Sequence, residues 1–250
     1  MNIVVCVKHV PDSETDIKIA PDGVSIDEST AKFDINPYDE YALEAGVQLR
    51  EKHGGEVVAL LLGDDKASKT ARKCLAAGAD RAIHLCIDNS RMLESSVVAK
   101  LLTSEIKDHE FDIVLCGKKS IDSESHQVGV FLGEMLDVPV LTTVESLVVS
   151  DNIVTVTRDM EGGKETLECN LPCVLTAEKG LNKPRYPSLR DIMAAKKKQI
   201  ERKDAASLNG SIEIIELRYP PDRPPGRIIG EGVEAVKETV SLLKNEAKVI

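Results

Sequence analysis

The stretch that decides the fold is residues 111–133, FDIVLCGKKSIDSESHQVGVFLG. It opens with an apolar run, Ile113 to Cys116, whose length and branched side chains are typical of a buried strand. The run breaks at Gly117 into a polar loop, and an apolar helical pattern begins at Gln127–Gly129. In an open parallel sheet, this order of strand, glycine turn, polar loop and helix N-terminus places a ligand at the carboxyl end of the strand, beside helix amides that suit phosphate.

Two interpretations of this loop stay open on its pattern alone. It is either a phosphate-binding turn or an ordinary connection whose polar residues only cap the following helix. The stretch has neither the Walker spacing nor a G-x-G-x-x-G, so its pattern does not decide between the two.

The same alternation of strand and helix runs through the first half of the chain. Apolar segments at 2–8, 56–63, 82–86, 113–116 and 138–141 are predicted as strands, with helical patterns between them. This pattern predicts an α/β fold, a parallel sheet flanked by helices on both faces. The strand ends at Cys6, at Leu62–Gly63 and at Gly117 should meet at one edge of the sheet, where a ligand should lie. Lys8 and His9, at the end of the first strand, lie either near that ligand or in solvent.

A helix is predicted to begin at Asn36, with Pro37 at its first position and Asp39 in its first turn. Before it, residues 12–35 carry the turn signal Pro21-Asp22-Gly23 and are expected to form a small hairpin.

The pattern of apolar and polar residues changes at about residue 142. Alternating segments and turns over about 142–176 predict an antiparallel β extension, and a final apolar strand covers 172–176. A loop containing Leu181 follows, then a helix capped by Ser188, both within about 177–198. We expect an α/β domain over 1–200 and a C-terminal arm over 201–250, polar and proline-rich, that packs on another subunit.

Composition narrows the function. A net charge of −10 and an aromatic content of 3% argue against nucleic acid as a partner. No apolar run reaches membrane-spanning length, and the N-terminus reads as a strand, so we expect a cytoplasmic protein without membrane insertion. The six cysteines form no C-x-x-C, and Cys169 and Cys173 have no matching pair, so no metal site is predicted. No side-chain catalytic constellation is recognised, and we name no catalytic residues.

Several segments together resemble electron-transfer flavoprotein β subunits. The strongest is residues 156–168, VTRDMEGGKETLE, followed by LPCVLT at 171–176. The others are VCVKHVPD at 5–12, Asn36-Pro37, GADR at 78–81, Gly117-Lys118 with Ile121-Asp122, and LNKPRY at 181–186. The resemblance covers nearly the whole chain.

The resemblance implies a nucleotide-binding fold of the adenine nucleotide α-hydrolase type and a heterodimer with an α subunit that carries FAD. It implies a second nucleotide in this chain, either structural AMP or, in electron-bifurcating members, an FAD that takes a hydride from NADH. The form His126-Gln127-Val128-Gly129-Val130 resembles the bifurcating set, so FAD is favoured and AMP is the alternative. The partners implied are an acyl-CoA-type dehydrogenase and, as acceptor, ferredoxin or flavodoxin.

The resemblance assigns nucleotide contacts to the positions that match the family's motifs, and the glycines at the strand ends are included with them. They are Cys6, Asn36, Pro37, Tyr38, Asp39, Leu62, Gly63, Gly117, Ser120, Ile121, Asp122, Ser123, Glu124, Ser125, His126, Gln127, Val128, Gly129 and Val130. The loop around Leu181 matches the family's recognition loop, in which a leucine docks into a dehydrogenase.

Within the loop, the serine hydroxyls, Gln127 and backbone amides are expected to hold the ligand, and Lys118 or Lys119 could offset phosphate charge. Asp122 only accepts hydrogen bonds, so it suits a ribose hydroxyl or the loop's own amides, or else only forms a turn. A lone His126 is given no chemical role.

Two other functions compete. One is a purely structural AMP-binding subunit whose redox chemistry lies entirely in the α partner. The other is a stand-alone ATP-binding or stress-type α/β protein. The polar, proline-rich C-terminal arm, which has no clear core of its own, and the loop around Leu181 argue against this function.

Overall fold

The computed structural model describes residues 1–88, 90, 93–208, 210–223 and 225–250. The chain divides into two compact units, Met1–Glu216 and Leu217–Ile250. The first unit contains both the central sheet and the site discussed below.

The first unit is built on a seven-stranded sheet in which every pair of neighbours is parallel. The strands are β1 Asn2–Val7, β4 Glu56–Gly63, β5 Arg81–Cys86, β6 Ile113–Gly117, β7 Val140–Val144, β11 Cys173–Ala177 and β12 Ile200–Asp204. Their spatial order is β12-β5-β4-β1-β6-β11-β7.

Helices cover both faces of this sheet. They are α1 Pro37–His53, α2 Ser68–Ala76, α3 Ser95–Ile106, α4 Val128–Leu136 and α5 Leu189–Lys197, with a 3-10 turn at Asp65–Ala67. Alternate residues of β1 enter two different cores: Ile3 and Val5 pack with α1 and α2, whereas Val4 and Cys6 pack with α3 and α4. A strand buried on both faces needs an unbroken apolar run, which is the pattern that the sequence shows. The predicted α/β class is therefore confirmed.

The antiparallel parts are also as predicted. Strands β8 Ser146–Ser150, β9 Ile153–Met160 and β10 Gly163–Asn170 form a three-stranded sheet in the order β10-β9-β8. The hairpin over 12–35 closes by β2 His9–Pro11 against β3 Phe33–Ile35 and by a bridge between Ile19 and Ile26.

Two element boundaries differ from the prediction. Residues 91–108 carry an amphipathic pattern that predicts a helix, and the helix found there is shorter, Ser95–Ile106; residues 91 and 92 lie outside the described part of the chain. The strand predicted at 138–141 begins two residues later, after Pro139, which has no N–H to donate to a ladder.

Strand β12 was not predicted, and it continues past residue 200, where we placed the start of the arm. Its sequence, IERKD, is mostly charged, so a search for apolar runs does not find it. It pairs with β5 at the sheet edge, where Glu201 accepts from Arg81 at 3.0 Å and Lys203 donates to Glu105 at 2.6 Å. An edge strand tolerates charge because one of its sides faces solvent. The division of the chain into domains at residue 200 remains a prediction.

The second unit contains a 3-10 turn, Val233–Ala235, and the helix α6 Val236–Asn245. None of the residues of either element is buried. Among the described helices of the whole chain, none combines the length and the apolar character needed to cross a membrane.

Candidate functional site

Three strand ends meet at one edge of the sheet, as predicted. Strands β4, β1 and β6 are consecutive neighbours, with Cys6 beside Leu60 and Val5 beside Leu115. Their carboxyl ends therefore bring Cys6, Leu62–Gly63 and Gly117 together. The N-terminus of α1 and the loop after β6 complete this edge.

Asp39 ties two of the strand ends to α1. One carboxylate oxygen accepts the backbone N–H of Lys8 at 2.7 Å, and the other accepts the N–H of Gly117 at 2.9 Å. The residue is 5% exposed. Burial raises the pKa of Asp39 to about 7, although its hydrogen bonds and the positive charge of Lys8 act in the opposite direction. The carboxylate thus fixes the spacing between β1, β6 and α1.

Asn36 occupies the predicted N-cap position of α1 but does not use its side chain as a cap. Its amide reaches the loop instead: Nδ2 donates to the carbonyl of Lys119 at 2.9 Å, and Oδ1 accepts the N–H of Ile121 at 3.1 Å. Asn36 is therefore the residue before the helix, as predicted, but its side chain binds the loop backbone, which offers this buried amide both a donor and an acceptor. Pro37 at the first helical position and the acidic first turn are confirmed.

Gly117 is a position where only glycine fits. An added Cβ would lie 2.4 Å from Asp39 Oδ1 and 2.6 Å from Tyr38 Cβ. Gly129 is similarly confined, since its Cβ would lie 2.5 Å from a methyl carbon of Thr176 on β11. Both glycines allow backbone to approach closely, at the two ends of the polar loop.

The loop itself is held by side chains. Lys8 Nζ lies 2.8 Å from an oxygen of Asp122 and 3.3 Å from Ser120 Oγ, which in turn lies 2.9 Å from Ser123 Oγ. Ser125 Oγ lies 3.1 Å from Ser95 Oγ on α3. Burial by itself would raise the pKa of Asp122, but the charge and hydrogen bond of Lys8 and the hydrogen bond of Ser120 hold it below its usual value. Lys8 therefore belongs to this site, whereas His9 is buried, with its Nδ1 2.8 Å from Thr70 Oγ1 on α2.

The end of the loop has a strained backbone, and the helix that follows it has no side-chain cap at its N-terminus. Glu124 and His126 have φ of 50° and 56°, in the left-handed region that non-glycine residues seldom adopt. Helix α4 then starts at Val128, as predicted, and the side chain of Gln127 makes no capping hydrogen bond. The first-turn amides of α4, up to Val130, therefore receive no hydrogen bond from the side chain of Gln127, and free amides at a helix N-terminus can donate to an anion.

The two lysines expected to offset phosphate charge both have carboxylate partners. Lys118 pairs with Glu178, and Lys119 pairs with Glu124 at 2.6 Å. Their ammonium groups lie 5.3 and 5.8 Å from the centre of the Tyr38 ring. Either lysine would have to exchange or share its carboxylate to contact an anion.

The loop around Leu181 is anchored to α1. Asn182 Nδ2 donates to the carbonyl of Tyr41 at 2.8 Å, and Arg185 contacts Glu44 at 2.7 Å and Glu51 at 2.6 Å. Leu181 is half-buried and packs against the core.

The apolar side chains that extend from this loop into solvent are different ones. Tyr186 is 94% exposed and Leu189, the first residue of α5, is 77% exposed. The sequence places Tyr186 in the motif LNKPRY but does not indicate its exposure or that of Leu189, because exposure depends on how the loop packs against the rest of the chain.

Comparison with known proteins decides the family. Residues 23–208 match the model of the electron transfer flavoprotein domain. The chain is 40% identical to the electron transfer flavoprotein subunit beta of Bacillus subtilis (strain 168), with all of both chains covered. It is 36% identical to the mitochondrial subunit beta of Oryza sativa subsp. japonica, again over all of both chains, and 34% identical to subunit beta of Mus musculus, over 100% of this chain and 99% of the relative.

The chain belongs to the electron transfer flavoprotein family, as a β subunit. The resemblance drawn from the sequence is thus confirmed. The family model begins within the hairpin and ends after β12, so it includes Asn36, Asp39 and the whole loop after β6. The full-length relatives extend the similarity to β1 and to the second unit. Membership in this family carries the general expectation of a flavin or nucleotide cofactor and of an α subunit as partner.

Proposed function

We propose that this chain is the β subunit of an αβ electron carrier and that it holds an adenine nucleotide at the edge formed by β1, β4, β6, the start of α1 and the loop 117–127. The observation that carries the proposal is the double link made by Asp39 and Asn36. Asp39 joins α1 to the ends of β1 and β6, and Asn36 joins α1 to the loop. Buried polar links of this kind fix a site before its ligand arrives.

The donors at this edge suit a nucleotide. Uncapped amides at the start of α4 and the hydroxyls of Ser120, Ser123 and Ser125 match the acceptor oxygens of a phosphate. Val128 offers no hydroxyl at the helix start, so the phosphate would depend on backbone amides.

We propose FAD as this nucleotide and structural AMP as the alternative. The choice rests on the Gln127-Val128-Gly129 form of the loop, which resembles the electron-bifurcating members. A bound FAD would supply redox chemistry, accepting a hydride from NADH, and the chain would supply position and electrostatic environment. With AMP instead, redox chemistry would be confined to the FAD of the α subunit.

The partner surface that we propose for the α subunit is the second unit. The sequence predicts an arm over 201–250; since residues up to 204 belong to β12, we assign the contact with α to the second compact unit, residues 217–250. Its apolar residues Val233, Val236, Val240 and Leu243 recur at helical spacing and are exposed. An exposed apolar stripe of this kind is typical of a protein–protein interface.

We propose that the loop over 177–198 docks an acyl-CoA-type dehydrogenase and that electrons leave to ferredoxin or flavodoxin. The docking role that the resemblance assigned to Leu181 is moved to Leu189 and Tyr186, because a half-buried leucine offers a partner little apolar area.

The test is the nucleotide content of the co-purified αβ complex, released by denaturation and separated by chromatography. Two FAD and no AMP per heterodimer would support the bifurcating proposal, and NADH oxidation would then be assayed. One FAD and one AMP would support the alternative. One FAD and no second nucleotide would contradict the proposed site itself.

A further inference from the structure

Lys8 connects all the parts of the candidate site. Its backbone N–H donates to Asp39, and its carbonyl accepts the N–H of Asn36 at 3.0 Å. Its side chain leaves the end of β1 and contacts the loop at Ser120 and at both oxygens of Asp122, at 2.9 and 2.8 Å. One residue thus contacts the start of α1 through its backbone and the loop through its ammonium group.

The other lysines of this edge do not make such a link. Lys119 pairs with Glu124, five positions along the same loop, and so joins the loop to itself. Lys118 pairs with Glu178, which follows β11. Among the ion pairs of the described residues at this edge, the pair of Lys8 with Asp122 is the one that joins the loop to the first strand.

The pair also controls charge where the anion is expected. The Asp122 side chain is 18% exposed and belongs to the loop that would surround a phosphate. An unpaired carboxylate there would repel phosphate, and a paired one does so much less. Lys8 therefore both orders the loop and neutralises Asp122.

We propose that Lys8 is a positioning residue for the nucleotide, acting through its ion pair with Asp122. This inference rests on the proposed nucleotide site. It predicts that nucleotide affinity falls more when Lys8 is replaced than when Asp122 is replaced. Loss of Lys8 leaves an unpaired carboxylate in the loop, whereas loss of the Asp122 charge removes only the ion pair between the loop and the first strand.

The test uses the αβ complex stripped of nucleotide and titrated with AMP and, separately, with FAD. Lys8→Met should lower the affinity for whichever nucleotide the wild type binds by about tenfold or more. A loss of this size is expected when a charged hydrogen-bond partner is removed. Asp122→Asn should lower this affinity by a smaller factor. The double variant K8M/D122N should bind more tightly than K8M alone, because the repelling carboxylate is gone. Lys8→Arg should restore most of the affinity.

Two controls separate positioning from folding. Lys164→Met removes a lysine that is paired with two carboxylates in the antiparallel sheet and should leave nucleotide affinity unchanged. The thermal midpoint of each nucleotide-free complex reports stability independently of binding.

Wild-type affinity in K8M, or equal affinities in K8M and K8M/D122N, would overturn the inference, as would a fall in thermal midpoint without a change in affinity. A wild-type complex that binds neither AMP nor FAD would instead refute the proposed function.

Discussion

Gly117 donates its N–H to the buried carboxylate of Asp39 across 2.9 Å, and the two residues are so close that any side chain at 117 would collide with that carboxylate. The contact joins the end of β6 to the first turn of α1. Position 117 is therefore restricted to glycine by the space beside Asp39, and its N–H is already used within the chain.

Substitution of Gly117 by alanine should damage both stability and nucleotide binding. The added Cβ would lie 2.6 Å from Tyr38 Cβ and 2.8 Å from its backbone carbonyl carbon, so α1 or β6 has to shift. We expect a loss of about 1–3 kcal/mol in the free energy of unfolding, as for other overpacked sites, together with a lower nucleotide content of the αβ complex.

The matched control for this variant is Gly163→Ala. Gly163 has no atom within 4 Å of an added Cβ and no positive φ. Its free energy of unfolding should change by no more than about 0.5 kcal/mol. Equal effects of the two alanines in urea unfolding would contradict the confinement of Gly117.

Asp39 should make stability depend on pH between about 4 and 7. Its pKa in the folded chain is raised to about 7, above the value of an unfolded aspartate, because burial disfavours its charge. Its contribution to stability is therefore fully present below about pH 4 and is lost as the pH rises towards 7, at up to about 1.4 kcal/mol per pH unit.

Asp39→Asn, which does not titrate, isolates this contribution. The difference in unfolding free energy, wild type minus Asp39→Asn, should fall between pH 5 and pH 7.5, because other titrating groups cancel in the difference. Parallel profiles for the two proteins would show that Asp39 keeps an ordinary pKa.

Leu189 and Leu181 should give opposite results when replaced by alanine. Leu189→Ala removes exposed apolar area, so it should slow electron transfer with the dehydrogenase several-fold or more while stability and nucleotide content stay unchanged. Leu181→Ala removes a side chain packed on the core and should cost about 1–2 kcal/mol of stability. Stopped-flow transfer rates and thermal unfolding distinguish the two. If Leu181→Ala slowed transfer and Leu189→Ala did not, the original assignment of Leu181 would stand.

An acidic residue in the apolar stripe of α6 should weaken the heterodimer. Val240→Asp places a charge among exposed apolar residues, and since no residue of α6 is buried, the chain's own stability should not change. The yield of α subunit in a pull-down with tagged β should fall at least about tenfold, as for a charge introduced into an apolar interface.

Ser241→Asp is the control for that variant, because it adds the same charge one position away from the stripe, at an exposed residue. Equal losses of α subunit in the two variants would show that charge on α6, and not the apolar stripe, governs association.

Much of the architecture could be predicted because its signals are local. Runs buried on both faces, such as Ile113 to Cys116, have to be continuously apolar. Pro37 marks a helix start through its fixed φ, and Ser188 marks one through its hydroxyl, which accepts a backbone N–H of the first turn. Strand β12 could not be found in this way, because a charged edge strand is specified by its partner β5 and by ion pairs with residues far away in the sequence.

The sequence by itself determined the family, the alternation of strands and helices, and the edge of the sheet at which Cys6, Leu62 and Gly117 meet. These follow from apolar periodicity and from motifs that each occupy a few consecutive residues. Only the tertiary structure decided what the polar side chains do there: that Asn36 binds the loop instead of capping α1, that Lys8 pairs with Asp122, and that Leu189 is exposed where Leu181 is not. The reason is that a hydrogen bond or a buried surface depends on distances between residues far apart in the chain, and those distances are fixed only when the sheet, helices and loops pack together.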